Sequence, residues 1–164
     1  MRLSALPIGS EIFIDSNIFT YHLSGHEIYG EVCRNFLRRV ERKEYIGYIN
    51  DIVISEVMLN FLKSELFRLR RIEPSKVVRE IRRDHNLIEL VNFKVVVRLF
   101  EALDLEVISS NFGSRKIASI MKRYKLLPND SINIATMRKY DIHNIATNDA
   151  DFERVRNIKV WKPR

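Results

Sequence analysis

The sequence predicts an α/β domain in which helices cover a mainly parallel β-sheet. Short apolar runs rich in β-branched residues alternate with longer segments whose apolar residues recur at helical spacing. Only five glycines and four prolines interrupt the 164 residues, which leaves little room for long loops. The chain is long enough to close one hydrophobic core, and it contains no repeat or linker, so we expect a single domain over residues 1–164.

Five short apolar runs are predicted to form the strands of this sheet. They cover residues 11–15, 45–50, 105–110, 143–149 (a strand with its turn) and 158–162. Each run is rich in β-forming residues, and polar or turn-forming residues flank it. Because helical segments separate most successive runs, the strands are expected to pair in parallel, since a parallel pair needs a crossover connection.

The segments between these runs are predicted to be helical. They cover residues 27–43, 51–69, 73–84, 92–103, 112–125 and 128–140. Asp51 is expected to cap the second of these helices. Pro74 and Pro128 are expected in the first turn of the third and the last, where a proline fits without cost.

The charge and cysteine content narrow the class of protein. Lys and Arg number 28 against 21 Asp and Glu, and the resulting net charge of +7 favours a polyanionic partner, nucleic acid foremost. The single cysteine excludes an internal disulfide framework. No stretch approaches the roughly 20 apolar residues of a membrane span, and the N-terminus does not resemble a signal peptide. We therefore expect a cytoplasmic protein with no membrane partner.

Acidic residues stand at several predicted strand ends and helix starts. Asp15 ends the first strand, and Asp149 follows the fourth, with Asp151 two residues later. Glu56 and Asp130 lie in the first turns of predicted helices. In a parallel sheet these positions share one edge, and ligands bind outside the carboxyl ends of the strands. The acids are therefore expected to face a common cleft.

A divalent cation would explain such a cluster. Carboxylates crowded together repel one another, and Mg²⁺ or Mn²⁺ prefers oxygen ligands. His22 and His26 form one pair at H-x₃-H spacing, but the chain has no HExxH motif, and the lone cysteine offers no thiolate cluster. A carboxylate-only site on a basic protein indicates metal-assisted cleavage of a phosphodiester.

Each acid taken alone also has an ordinary structural explanation. Asp15 could simply cap the next helix, and Asp130 could stabilise its own helix by capping and dipole interaction. Asp149 and Asp151 could be turn residues, and Glu56 an exposed helical glutamate. Their joint placement at one edge of the sheet favours a site.

Four stretches resemble the motifs of PIN-domain ribonucleases, in that family's order, and in overall size the chain resembles the VapC toxins of toxin–antitoxin pairs. The stretches are FIDSNIFTY (13–21), ISEVMLNF (54–61), LPNDSINIATM (127–137) and IATNDADFERV (145–155). The resemblance implies a three-layer α/β/α sandwich that cleaves RNA as an endonuclease with Mg²⁺ or Mn²⁺. It also implies a homodimer and an antitoxin partner.

By motif, the family's acidic residues fall on Asp15, Glu56, Asp130 and Asp149, with Asp151 as a fifth candidate. Asp15 and Asp130 are expected to bind the metal directly. Asp149 is expected to contact either the metal itself or a water bound to it. Glu56 is expected to bind a second ion or to orient the attacking water. Small polar residues are expected to hold these ligands or to touch phosphate. They are Ser16, Asn17, Thr147, Asn148 and Asn60, which lies four residues after Glu56 on the same helix face. The alternative for Asn60 is an ordinary solvated asparagine.

Two other functions are compatible with parts of the pattern. A catalytically silent PIN-like module would bind RNA or a protein, but it would normally have lost one of the acids. An aspartyl-phosphate phosphatase also begins with a strand that ends in aspartate, but it needs a second aspartate where this chain has Asn17. The segment 63–104 matches no motif, which leaves the subfamily, the RNA target, the number of metal ions and the existence of an antitoxin open.

Overall fold

The computed structural model describes residues 1–164 and contains a five-stranded, fully parallel sheet. The strands are β1 (Glu11–Ile14), β2 (Ile46–Ile49), β3 (Glu106–Val107), β4 (Asn144–Ala146) and β5 (Lys159–Trp161). Their spatial order is β3-β2-β1-β4-β5. Each of the five predicted runs contains one strand, and the parallel pairing expected from the intervening helices is confirmed.

Seven α-helices connect and cover the strands. They are α1 (Ser16–Ser24), α2 (Gly30–Glu41), α3 (Asp51–Arg70), α4 (Val77–Arg83), α5 (Lys94–Leu103), α6 (Ser114–Tyr124) and α7 (Pro128–Lys139). Short 3₁₀ helices occupy Leu3–Ala5, His85–Leu90 and Asp151–Arg154. No helix combines the length and the apolar character that crossing a membrane requires.

Two predictions about helix starts are wrong, namely the cap of α3 and the position of Pro74. Asn50 rather than Asp51 caps α3, because its backbone is extended and its side-chain oxygen accepts a hydrogen bond of 3.0 Å from the Val53 N–H. Pro74 precedes α4 instead of lying in its first turn. Residues 74–76 form a separate turn, closed by a hydrogen bond of 2.8 Å from the Lys76 N–H to the Glu73 carbonyl.

The helices form layers on the two faces of the sheet. Helix α1 packs on α2 and α3, α2 packs on α5, and α6 packs along α7. The connections from β1 through β3 run toward one edge of the sheet, and those from β3 through β5 run back past β1 to the other edge. Because such crossovers are right-handed, the two sets of helices cover opposite faces. The predicted three-layer sandwich is confirmed.

This strand order creates a crevice between β1 and β4. The chain leaves β1 toward β2, while β4 joins the other side of β1, so the direction of the connections reverses between these two strands. Ligands of open α/β sheets bind at such a reversal, outside the carboxyl ends of the strands. Asp15 follows β1 directly, and Thr147 follows β4.

One cluster of 35 buried apolar residues forms the core around the sheet. Ile12, Phe13 and Ile14 of β1 are fully buried, as expected for a central strand that is covered on both faces. The packing against β2 is so close that Gly47 has no space for a side chain. The carboxyl end of β1, and with it Asp15, therefore lies in a closely packed part of the core.

Candidate active site

Asp15 lies at the bottom of the crevice and is only 6% exposed. Its backbone N–H continues the sheet pairing with a hydrogen bond of 3.0 Å to the Ala146 carbonyl. One carboxylate oxygen accepts a hydrogen bond of 2.8 Å from the Ser16 N–H at the start of α1. The side chain thus caps the helix, as the ordinary explanation expects, and its other oxygen takes part in a separate network.

This network joins the ends of β1 and β4. The second oxygen of Asp15 accepts hydrogen bonds of 2.6 Å from both the Thr147 hydroxyl and the Asn17 side-chain amide. The Asn17 amide also donates to the Thr147 hydroxyl at 2.9 Å. Three polar side chains in mutual contact orient one another, so the network holds the carboxylate at the crevice.

The loop after β4 extends the same network. The Asn17 side-chain oxygen accepts a bond of 3.3 Å from the Asn148 N–H, and the Asn148 amide donates to the Tyr21 hydroxyl at 3.2 Å. The Thr147 hydroxyl oxygen accepts a bond of 3.0 Å from the Asp149 N–H. The structure therefore places Asn17, Thr147 and Asn148 around the predicted ligands.

Glu56 reaches the site from the second turn of α3. One of its oxygens accepts a hydrogen bond of 2.8 Å from the Ser16 hydroxyl, and the other accepts one of 2.7 Å from the Asn129 side chain. Asn129 was not predicted as a site residue. Its position in the sequence could have indicated this role, because Asn129 directly precedes Asp130 at the start of a helix whose first turn was expected in the cleft.

Asn60 does not join this group. It lies one turn after Glu56, but its amide donates a hydrogen bond of 3.4 Å to the Thr20 hydroxyl of α1. It makes no hydrogen bond with Glu56, and it supports the packing of α1 against α3.

The acidic side chains influence one another's charge. The pKa of Asp15 is raised to about 7, chiefly by burial and further by the charges of Glu56 and Asp130, against the hydrogen bonds from Thr147 and Ser16. Burial first, and then the charges of Asp149, Glu56 and Asp151, raise the pKa of Asp130 to about 6. The structure thus brings the five predicted acids into one electrostatic cluster.

Asp151 differs from the other four acids because it has a basic partner. Its carboxylate pairs with Arg154 at 2.7 Å, one turn later in the last 3₁₀ helix. Its N–H donates a bond of 2.7 Å to the Asp149 carboxylate, the turn geometry that the ordinary explanation expects. Asp15, Glu56, Asp130 and Asp149 form no ion pair.

The donor atoms of this cluster suit a hard cation, since every candidate ligand is an oxygen. The carboxylates do not form a ready-made cage, because no three Asp, Glu, His or Cys side chains are arranged to hold a metal ion between them. Mg²⁺ usually binds through one or two carboxylates and keeps several waters, so a preformed cage is not what it requires. A cation would also favour the ionised forms of the two carboxyl groups whose pKa is raised.

A comparison with known protein families identifies the fold and its motifs. The sequence model of the PIN domain family matches residues 12–158. The chain belongs to the PIN domain family. The four stretches of this chain that resemble PIN-domain motifs all lie within residues 12–158.

Two curated relatives are similar to this chain over almost their full length. Ribonuclease VapC2 of Methanocaldococcus jannaschii is 32% identical over 152 residues, which cover 92% of this chain and 93% of that protein. Ribonuclease VapC6 of the same organism is 30% identical over 157 residues, which cover 93% of this chain and 97% of that protein.

A solved structure shares the fold of this PIN domain. It is the crystal structure of VapBC2 from Rickettsia felis bound to a DNA fragment from their promoter, with a TM-score of 0.55 and 14% identity. The match covers 93% of this chain and 98% of that one. At this identity the likeness concerns the fold alone.

Proposed function

We propose that residues 1–164 form one catalytic unit, a PIN-domain endoribonuclease that hydrolyses RNA phosphodiester bonds with Mg²⁺ or Mn²⁺ in the cytoplasm. The observation that carries the proposal is the convergence of four unpaired carboxylates at the crevice between β1 and β4, on a chain with a net charge of +7. Two relatives that carry the name ribonuclease support it.

Asp15 and Asp130 are the proposed direct ligands of the metal, and Asp149 a ligand that binds directly or through water. A bound Mg²⁺ or Mn²⁺ would stabilise the developing phosphate charge and lower the pKa of the attacking water. Thr147 and Asn17 hold the Asp15 carboxylate in the position from which it binds, since both donate to the same oxygen.

Glu56 is proposed to orient the attacking water. It is partly exposed, forms no ion pair, and each of its oxygens already accepts one hydrogen bond, from Ser16 and from Asn129. A carboxylate oxygen can accept more than one hydrogen bond, so Glu56 keeps acceptor capacity for a water molecule. Asp151 is proposed to contribute less to metal binding than the other four acids, because Arg154 already offsets its charge.

Cleavage of a single-stranded RNA by purified protein tests this function. We expect cleavage that requires Mg²⁺ or Mn²⁺ and stops on addition of EDTA. Asp15→Asn and Asp130→Asn should each abolish it, while Asp51→Asn, which removes an exposed acid from the first turn of α3, should not. Equal activity in the two site variants would contradict the proposed site. RNA binding without cleavage would instead favour the silent PIN-like module.

The proposed biological role is that of a toxin with an antitoxin partner. The names of the two VapC relatives and the VapBC2 complex of similar fold support this role. Induced expression of the chain alone should arrest growth, and expression of Asp15→Asn should not. Growth arrest by the Asn variant at equal protein level would count against toxicity through RNA cleavage.

A homodimer is proposed to form through the surface of α3, α4 and α5. Of the 15 large apolar residues that are exposed, eight lie between positions 59 and 97, on these helices and on the 3₁₀ helix His85–Leu90, and exposed apolar side chains favour an interface. The eight are Leu59, Phe67, Leu69, Val78, Ile88, Leu90, Val95 and Val97. Light scattering should give a dimer for the wild type and for Ile28→Lys, an exposed apolar position elsewhere, and a monomer for Val95→Lys. A wild-type monomer at high concentration would contradict the dimer.

A further inference from the structure

A basic cavity of about 500 Å³ lies at the other end of the molecule from the carboxylates. Its walls come from the last residues of α6 and α7 and from the residues just before β4 and β5. Arg138 on its wall and Asp130 at the carboxylate site are eight residues apart in α7, about 12 Å along the helix axis. The cavity is therefore separate from the candidate active site.

Three arginines line this cavity, and none of them has a carboxylate partner. They are Arg123, Arg138 and Arg156. Arg138 donates a hydrogen bond of 2.7 Å to the Tyr124 hydroxyl, and its guanidinium lies 4.9 Å from the centre of the Tyr124 ring. The guanidinium of Arg123 lies 5.3 Å from the same centre. Stacking on one buried ring therefore positions two guanidinium groups and leaves most of their N–H donors unused.

The other charged groups on the wall do not neutralise the arginines. Asp141 is the one acid that lines the cavity, its side chain is 95% exposed, and it lies 3.7 Å from His143. The pKa of Tyr124 is lowered, chiefly by the hydrogen bond from Arg138 and then by the charges of Arg138, Arg123 and Arg156, against the effect of burial. The cavity thus has a positive potential that its own residues do not offset.

We propose that this cavity binds the terminal phosphate of a nucleotide or of an RNA strand. A guanidinium fork matches phosphate oxygens with paired, charge-assisted hydrogen bonds, and a terminal phosphate carries more charge than a backbone diester. The Tyr124 ring is already engaged with guanidinium groups, so the cavity is suited to phosphate rather than to a stacked base. Its volume falls in the range of pockets for small ligands, so a free nucleotide and a strand end both fit. The proposal does not depend on the carboxylate site.

Binding in the presence of EDTA, where metal-dependent cleavage cannot occur, tests the proposal. The probes are inorganic phosphate, AMP, and one ribo-oligonucleotide made with either a 5′-phosphate or a 5′-hydroxyl. We expect the 5′-phosphorylated strand to bind at least about tenfold more tightly than its 5′-hydroxyl form, the contribution of one charge-assisted hydrogen bond. Competition by AMP would identify free nucleotides as a source of the phosphate, and its absence would identify strand ends.

Two variants on the cavity and one matched control complete the test. Arg123→Gln and Arg156→Gln change exposed residues and should each reduce the preference for the 5′-phosphate about tenfold. Arg82→Gln removes an exposed arginine of α4 that forms no ion pair, and it should leave the preference unchanged. Thermal unfolding confirms that the variants are folded. Equal affinity for the two forms of the strand, or equal losses in all three variants, would overturn the proposal.

Discussion

The Thr147 hydroxyl donates a hydrogen bond of 2.6 Å to the Asp15 carboxylate, across the crevice between the carboxyl ends of β4 and β1. This bond lowers the pKa of Asp15, against the larger opposite effect of burial. The ionised form of the carboxylate, which a cation needs, therefore depends on a residue from the opposite side of the crevice.

Thr147→Val should shift the pH dependence of RNA cleavage. The variant keeps the shape of the side chain but loses the hydroxyl that donates to Asp15 and accepts from Asn17 and the Asp149 N–H. Without the donor, the pKa of Asp15 should rise further above its value of about 7. We expect the rise of activity with pH to move to higher pH, with about tenfold lower activity at pH 7. The measurement is cleavage rate from pH 5.5 to 9. Thr20→Val, whose hydroxyl donates to the Ser16 carbonyl within α1, should keep the wild-type profile. Identical profiles for the two variants would contradict the role of Thr147.

Asp130→Asn should stabilise the fold at neutral pH while it abolishes cleavage. The pKa of Asp130 rises from 3.8 to about 6 in the folded protein, so the free energy of unfolding falls as pH increases through this interval. Removing the charge should raise the free energy of unfolding by about 1 kcal/mol at pH 8, a value reduced for solvent screening, and by almost nothing at pH 4. Urea unfolding in EDTA at the two pH values measures this difference.

Asp51→Asn is the matched control for that experiment, because Asp51 also lies in the first turn of a helix but is exposed. It should lose a small helix-dipole contribution and show no gain at pH 8. A loss of stability in Asp130→Asn at pH 8 would show that repulsion among the carboxylates is not the dominant effect there.

Addition of Mn²⁺ should stabilise the protein in a pH-dependent way. Protons compete with the cation for carboxylates whose pKa is about 7 for Asp15 and about 6 for Asp130. We expect the affinity for Mn²⁺, measured by calorimetry, to fall more than tenfold between pH 8 and pH 5. Asp130→Asn should bind Mn²⁺ weakly at both pH values. A wild-type affinity that does not change with pH would place the cation away from these two groups.

Asn129→Ala should reduce cleavage, and Asn60→Ala should not. Asn129 donates a hydrogen bond of 2.7 Å to Glu56, whereas the Asn60 amide contacts Thr20. Loss of a bond to a charged group costs about 1.5–3 kcal/mol, so the rate should fall about tenfold or more. Rates at saturating RNA compare the variants. A larger loss of activity in Asn60→Ala than in Asn129→Ala would show that Asn60, and not Asn129, supports cleavage.

Gly47→Ala should destabilise the fold without acting on the site. An added methyl group would lie 2.6 Å from a Leu105 methyl, 3.0 Å from Ile14 and 3.1 Å from Val40. Overpacking of this kind costs about 1–3 kcal/mol, which denaturant unfolding measures. Gly113→Ala places a methyl group in open space and should change the free energy of unfolding by much less. Equal effects at the two positions would show that the sheet adjusts around β2.

The strands and the acid cluster were accessible to sequence reasoning, because both follow from order along the chain. The apolar run of β1 ends in Asp15, and in a parallel sheet all strands end on the same side. The sequence therefore predicts on which side of the sheet this carboxylate lies, without knowledge of any contact. The contacts of Asn129 and Asn60 were not accessible, because each depends on the angle at which a helix packs on its neighbour. Helical spacing predicts that Asn60 and Glu56 share one face of α3. The packing of α3 against α1 brings the Asn60 amide to the Thr20 hydroxyl instead, and spacing does not reveal that packing.

The pairing of Asp151 with Arg154 was missed for a different reason. The alternative explanation placed Asp149 and Asp151 in a turn. Asp151 and Arg154 are three positions apart, and their side chains meet because Asp151–Arg154 forms a 3₁₀ helix. The cap of α3 was assigned one residue too late, since Asn50 and Asp51 are both good capping residues and only the extended backbone of Asn50 distinguishes them.

The two partners of the hydrogen bond at the crevice stand 132 residues apart in the chain. During synthesis Asp15 therefore emerges long before Thr147 and Asp149. Strand β4, which fills the position beside β1, arrives equally late. A chain that ends before β4 has neither the Thr147 donor nor the strand that completes the crevice beside β1, so we expect it to lack the site.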